Sequence, residues 1–120
     1  MAATLFERLG GEDGIARLVT DILDLHYRNP LICSRFEKIK DRAAVERHSV
    51  EFVCAGSGGP QAYTGRDMLS VHKGMNISEQ ELVAAIDDFV LAMTKNHLDQ
   101  SVQNEVIAIL YSLKGEVVRR

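Results

Sequence analysis

The chain has 120 residues, 46% apolar and 26% charged, which suits one domain with one core and leaves no room for a second. That balance excludes a disordered tail, and no run reaches the ~18 uninterrupted apolar residues of a bilayer crossing. With 14 Lys and Arg against 17 Asp and Glu, the net charge is -3 and the basic residues are scattered, which argues against a nucleic-acid partner.

The opening Met1-Ala2-Ala3-Thr4-Leu5 lacks the basic start and long apolar middle of a secretion signal. Thr4 and Glu7 have the spacing of a capping box, which predicts a short helix ended by Gly10-Gly11. A longer helix follows from about Glu12 to Arg28, with Ile15, Leu18, Val19, Ile22 and Leu25 or His26 inward. Asn29-Pro30 stops it, because a residue before proline is pushed out of the helical region. Leu31 to Phe36 reads as one tight turn.

The next helix spans about Asp41 to Ala55, with Val45 and Phe52 inward. The stretch Gly56-Ser57-Gly58-Gly59-Pro60 then forces a loop that continues through Tyr63-Thr64-Gly65. A short helix from Arg66 to Lys73 carries Met68, Val71 and His72 on one side. Ser78 and Glu81 form a second capping box before a helix showing Leu82, Ala85, Ile86, Phe89, Val90 and Met93. Asp99 caps a last helix with Val102, Val106, Leu110, Leu113 and Val117 inward. The expected fold class is all-α, a single domain over residues 1–120. Cys33 and Cys54 form neither a ligand motif nor a disulfide framework and read as reduced thiols filling core space, which points to the cytoplasm. No Trp and only 6% aromatics leave few stacking platforms for single-stranded nucleic acid.

Two of the four histidines fall on apolar stripes. Val45, His48, Ser49 and Phe52 sit at i, i+3, i+4 and i+7, and Met68, Val71 and His72 at i, i+3 and i+4. A buried neutral imidazole must satisfy one donor and one acceptor nitrogen, and a bare one costs about 1–3 kcal/mol. Each ring alone reads as a core histidine satisfied by a carbonyl or hydroxyl. Two of them on successive helices fit a shared metal, for which imidazole is the commonest protein ligand. A bare zinc site would want three or four ligands at short spacings, which the chain lacks. A haem iron needs only axial ligands, since the ring supplies four nitrogens. Spacing alone leaves both readings open. His26, at a helix end, reads as structural filler or a helix-end cation, and His97 as solvent-facing.

The string Gly58-Gly59-Pro60-Gln61-Ala62-Tyr63-Thr64-Gly65-Arg66-Asp67-Met68, followed by Val71-His72-Lys73-Gly74, resembles the signature of group I truncated haemoglobins, the two-over-two globins. Leu5-Phe6-Glu7-Arg8-Leu9-Gly10-Gly11 is similar to their short first helix and glycine pair. The resemblance covers almost the whole chain and implies a helical sandwich around haem b. It implies His72 as the proximal iron ligand and His48 as a second axial ligand of the kind found in cyanobacterial members. The iron would then be bis-histidyl and six-coordinate at rest. Phe36 sits where the family keeps a haem-wedging phenylalanine, and Phe52 matches the aromatic of the distal helix. Met68 and Val71 belong to the haem walls, and Tyr63 and Arg66 to a loop near the propionates, where Arg can bond a carboxylate bidentately.

The departures bear on function. Many members hold oxygen with a tyrosine on the second helix and a glutamine on the distal helix. Ungapped alignment puts Leu23 and Ser49 there, with Val45 at a further distal position that is often polar elsewhere. Tyr27 lies one helical turn from Leu23 and is not moved into the role. Some cyanobacterial members attach a haem vinyl group to a histidine of the last helix, but no histidine follows His97.

The implied function is a cytoplasmic haem protein that binds the diatomic gases O2, NO and CO by displacing His48, with a role in redox or reactive-nitrogen chemistry. Nitric oxide dioxygenation is an enzyme reading of the same class, and it needs an external reductase. A monomer is expected. The alternatives are a haem-based sensor or electron-transfer module acting through a protein partner, and a cofactor-free helical interaction protein.

Overall fold

The structure is a computed structural model and describes residues 3–120. Met1-Ala2, part of the segment read for its lack of a secretion-type start, lies outside the described residues. Helix α1 (Leu5–Arg8) opens on the expected capping box: Thr4 Oγ1 accepts from the Glu7 amide at 3.1 Å, and the Glu7 carboxylate accepts from the Thr4 amide at 3.2 Å. The chain reverses at Gly10, whose φ of 98° is strained for any residue bearing a Cβ. Helix α2 (Gly11–Arg28) follows, burying Ile15, Leu18, Val19, Ile22, Leu23 and His26, and ends at an extended Asn29 before Pro30.

A 3-10 turn covers Cys33–Phe36, and α3 (Arg42–Gly56) begins where Asp41 Oδ1 accepts from the Ala44 amide at 3.0 Å. The glycine-rich loop after α3 is packed down. Ser57 C=O accepts from the Phe6 amide at 2.9 Å, and a Cβ on Gly59 would stand 2.5 Å from the Phe6 ring. Helix α4 (Met68–His72) is shorter than the predicted Arg66–Lys73. Asp67 caps it, accepting from the Ser70 amide at 2.9 Å, so Arg66 and Asp67 stay outside, while Lys73 is extended.

Helix α5 (Glu79–Lys95) opens on the second capping box, and α6 (Gln100–Ser112) on Asp99 Oδ1, which accepts from the Val102 amide at 3.0 Å. The predicted last helix is in fact two: it breaks at Leu113 and resumes as α7 (Lys114–Val117). Val102, Val106 and Val117 are buried as expected, and Leu110 and Leu113 half-buried. Beyond the helices, residues 76–77 meet 118–120 in an isolated parallel bridge, Ile77 to Val118, flanked by Asn76 N to Arg120 O at 2.8 Å and Arg119 N to Ile77 O at 2.8 Å.

The core joins α2, α5 and α6: Ile15, Leu18, Met93 and Val102 are almost wholly buried, with Cys54 entering from α3. Cys54 is thus the core residue expected, while Cys33 is half-buried, and both are free thiols. α2 packs on α3 and on α5, α5 on α6, and α4 chiefly on α7. No helix among the described residues is long and apolar enough to cross a membrane.

One ion pair ties the elements around α4 together. Arg35 Nε and Nη2 donate to the two carboxylate oxygens of Glu81 at 2.7 and 2.9 Å, and Arg35 Nη1 donates to the Met75 carbonyl at 2.8 Å. The Arg35 guanidinium, with the Ser78 amide, lowers the Glu81 carboxyl from its ordinary 4.5 to about 2. A carboxyl whose folded value is depressed contributes stability above its unfolded value and loses it as pH falls through the window from about 4.5 to about 2. Urea unfolding across that range is expected to show a steady loss of stability, shallower in Glu81→Gln. Equal slopes in the two proteins would mean that other carboxyls carry the acid sensitivity.

Candidate functional site

His72 closes α4, and its position follows from that helix. Its Nδ1 lies 2.7 Å from the backbone carbonyl of Met68, one turn earlier in the same helix. A carbonyl oxygen only accepts, so Nδ1 carries the ring hydrogen and Nε2 keeps the lone pair. The ring is half-buried, and its backbone carbonyl accepts from the Met75 amide at 3.0 Å. An imidazole with one nitrogen pinned to a carbonyl and the other left as a lone-pair donor is oriented as a metal ligand requires.

His48 stands differently. The stripe Val45, His48, Ser49 and Phe52 was expected to be buried, but all four are half-buried, and the one residue α3 buries fully is Cys54. The reason is geometric: α3 meets the bundle through α2, while near His48 and Phe52 it meets Tyr63 of the loop after α3. The Tyr63 ring meets His48 edge-on at 6.4 Å between centroids and Phe52 at 5.3 Å. His48 has no hydrogen-bond partner among the described residues, so neither nitrogen is committed.

Tyr63 is held by its own loop. Its hydroxyl donates to the Arg66 carbonyl at 2.5 Å, and the neighbouring Thr64 donates through its amide and hydroxyl to Glu51 at 3.0 and 2.6 Å. Burial pushes the phenol up, so it stays protonated at neutral pH. The exposed side chain of Arg66 is the cation that this loop presents.

Phe36 belongs to a second aromatic group. His26 stacks on it at 5.6 Å and 29°, and Tyr27 leans on it at 5.0 Å with the Arg42 guanidinium 4.8 Å over the far ring. His26 is 7% exposed, and its Nδ1 donates to Asp88 Oδ2 at 2.7 Å, while Asn29 Nδ2 reaches both Asp88 oxygens at 3.1 and 3.2 Å. Burial outweighs the pull of Asp88 and pushes the His26 ring below its ordinary range. This buried, hydrogen-bonded place fits the structural-filler reading of His26. Asp88 carried no signal in the sequence beyond the place of His26 on the α2 stripe, and Asn29 only that of a helix stop before Pro30. The Tyr27 hydroxyl is buried without a hydrogen-bond partner among the described residues.

Leu23 is 4% exposed inside the core, and Phe36 and Val45 pack against that core from outside. Phe52, Met68 and Val71 are half-buried. His97 is exposed, as expected. The expected residues therefore gather in three places: His72 on α4, His48 with Phe52 and Tyr63 across α3, and Phe36 beside α2. The haem that the resemblance implies fits them, because the donor set includes one imidazole already oriented by its own helix, one uncommitted imidazole, and half-buried apolar side chains on α3 and α4.

The sequence model of the bacterial-like globin family matches residues 4–119. A group 1 truncated haemoglobin from Tetrahymena pyriformis is 28% identical over 118 residues, covering 96% of this chain and 94% of that one. One from a Nostoc species, strain MUN 8820, is 23% identical, covering 98% and 99%. Among solved structures, the T. pyriformis truncated haemoglobin in its Fe(III) form superposes with a TM-score of 0.93 at 23% identity, covering 98% of this chain and 100% of that one. The 2/2 haemoglobin of Synechococcus sp. PCC 7002, in the cyanomet state with covalently attached haem, superposes at 0.88 and 22% identity, with the same coverage.

Proposed function

The chain belongs to the bacterial-like globin family, and from that premise we propose that it is a haem protein that binds diatomic gases, with His72 as proximal ligand and His48 as a displaceable distal one. The observation that carries the reading is the hydrogen bond from His72 Nδ1 to the Met68 carbonyl, which leaves Nε2 as a lone-pair donor. Haem, when bound, would supply an iron that changes oxidation state and takes up diatomic gases.

The chain's own residues do the rest. His72 would hold the group from a helix capped by Asp67. Phe36, Val45, Phe52, Met68 and Val71 would give it apolar walls that keep water away, and Arg66 would pair with a carboxylate of it. His48 would hold it from the other side and would give up that place to O2, NO or CO. Ser49 is the hydroxyl beside it on α3, and Leu23 offers no hydrogen bond at all. Retention of a gas is therefore weak in hydrogen bonding, which favours redox or reactive-nitrogen chemistry over oxygen storage, with electrons supplied by an external reductase. Because His72 and His48 would hold the group in either oxidation state, electron exchange would need little rearrangement of the chain.

A visible spectrum of the purified protein, supplemented with haem, reduced and then exposed to carbon monoxide, tests this reading. A low-spin ferrous spectrum that converts to a carbonyl spectrum supports it; no Soret band refutes it. Leu23→Tyr is expected to slow oxygen release, measured by stopped flow, at a stability cost of about 1–3 kcal/mol for overfilling a buried site. An unchanged off-rate would show that position 23 does not face the gas.

A further inference from the structure

We propose that Arg35 is a positioning residue for the proximal ligand, holding His72 in register with the Phe36 side of the haem site. The proposal rests on the haem reading above. Helix α4 is a single turn and buries none of its residues fully, so it cannot fix its own orientation. It must be held from outside: α7 packs on it, and the Arg35 guanidinium holds the segment that leaves it. Arg35 lies in the 3-10 turn immediately before Phe36, and its Nη1 donates to the Met75 carbonyl at 2.8 Å. The amide of the same Met75 donates to the His72 carbonyl at 3.0 Å. One residue therefore connects the guanidinium to the backbone of the ligand.

The other two arms of Arg35 fix the anchor. They meet Glu81 in the bidentate fork that guanidinium and carboxylate geometry favours. Glu81 is itself immobilised, because it closes the capping box of α5 by accepting from the Ser78 amide at 3.2 Å. The arginine side chain is 31% exposed and Glu81 21%, so the pair is sheltered. Three elements meet at one planar group: the turn bearing Phe36, the start of α5, and the segment leaving His72. Lysine could supply the charge but not three donors in one plane.

A metal bond tolerates only a few tenths of an ångström, so support of this kind registers in the iron–histidine bond itself. The test uses full-length haem-loaded protein and three variants: Arg35→Met, Arg35→Lys and, as control, Arg42→Met. Arg42 also pairs with two carboxylates, Asp24 and Glu46, but makes no hydrogen bond to the α4 segment among the described residues. Two quantities are read: the rate of haem transfer to excess apomyoglobin, and the iron–histidine stretching band of the photolysed carbonyl form.

Arg35→Met is expected to speed haem transfer about tenfold or more and to shift or broaden the band. Arg35→Lys should fall between it and the parent, and Arg42→Met should leave the band unmoved. If Arg35→Met keeps the parent band and loses haem no faster than Arg42→Met, Arg35 is an ordinary stabilising ion pair and the proposal fails alone. A parent protein with no iron–histidine band overturns this proposal together with the haem reading.

Discussion

Replacing His72 with Ala is expected to abolish stable haem binding while leaving the helical fold in place. The side chain makes one hydrogen bond, to its own helix, and its loss costs about 0.5–1.5 kcal/mol. The ring belongs to α4, which packs chiefly on α7, whereas the core lies between α2, α5 and α6. Alanine is also the better helix former. Far-ultraviolet circular dichroism should therefore match the parent, and the Soret band should fall to background after gel filtration. Free imidazole should restore part of the absorbance by filling the missing axial position. A variant that keeps full Soret intensity without imidazole would show that another residue binds the iron.

The second large effect concerns His48. With this residue changed to Ala, the ferrous spectrum is expected to pass from six-coordinate low-spin to five-coordinate high-spin, with haem still bound. The ring meets Tyr63 edge-on and holds no hydrogen bond among the described residues, so no hydrogen bond of the chain would oppose its movement toward or away from a bound iron. A resting bias of 99:1 toward the closed form corresponds to about 2.7 kcal/mol and weakens apparent gas affinity about a hundredfold. Carbon monoxide affinity in His48→Ala should rise by the reciprocal of the open fraction, read by flash photolysis and titration together. An unaltered ferrous spectrum would remove His48 from the iron.

Local chemistry was legible in the sequence, and distant chemistry was not. The boxes Thr4–Glu7 and Ser78–Glu81 form as their three-residue spacing requires, and the α2 stripe is buried as its period predicts. The orientation of His72 comes from Met68, four residues back, so its spacing already held it. The His26–Asp88 and Arg35–Glu81 pairs span 62 and 46 residues, and no local pattern announces either. The break falls at Leu113, itself neither glycine nor proline, and the apolar period runs straight through it. The stripe of α3 has a clear helical period, but period says which face is apolar and not what covers it. That is why His48 is half-buried where full burial was expected.

The pairing of residues 76–77 with 118–120 bears on the order of events during synthesis. His72 leaves the ribosome well before the strand-like segment that steadies the turn behind it. A nascent chain presenting His72 would still lack α7 and the segment that pairs behind it, so on the proposed reading cofactor capture should follow translation of the C-terminal segment. Stalled chains ending before α7 should then take up porphyrin weakly, even with His48 and His72 already made.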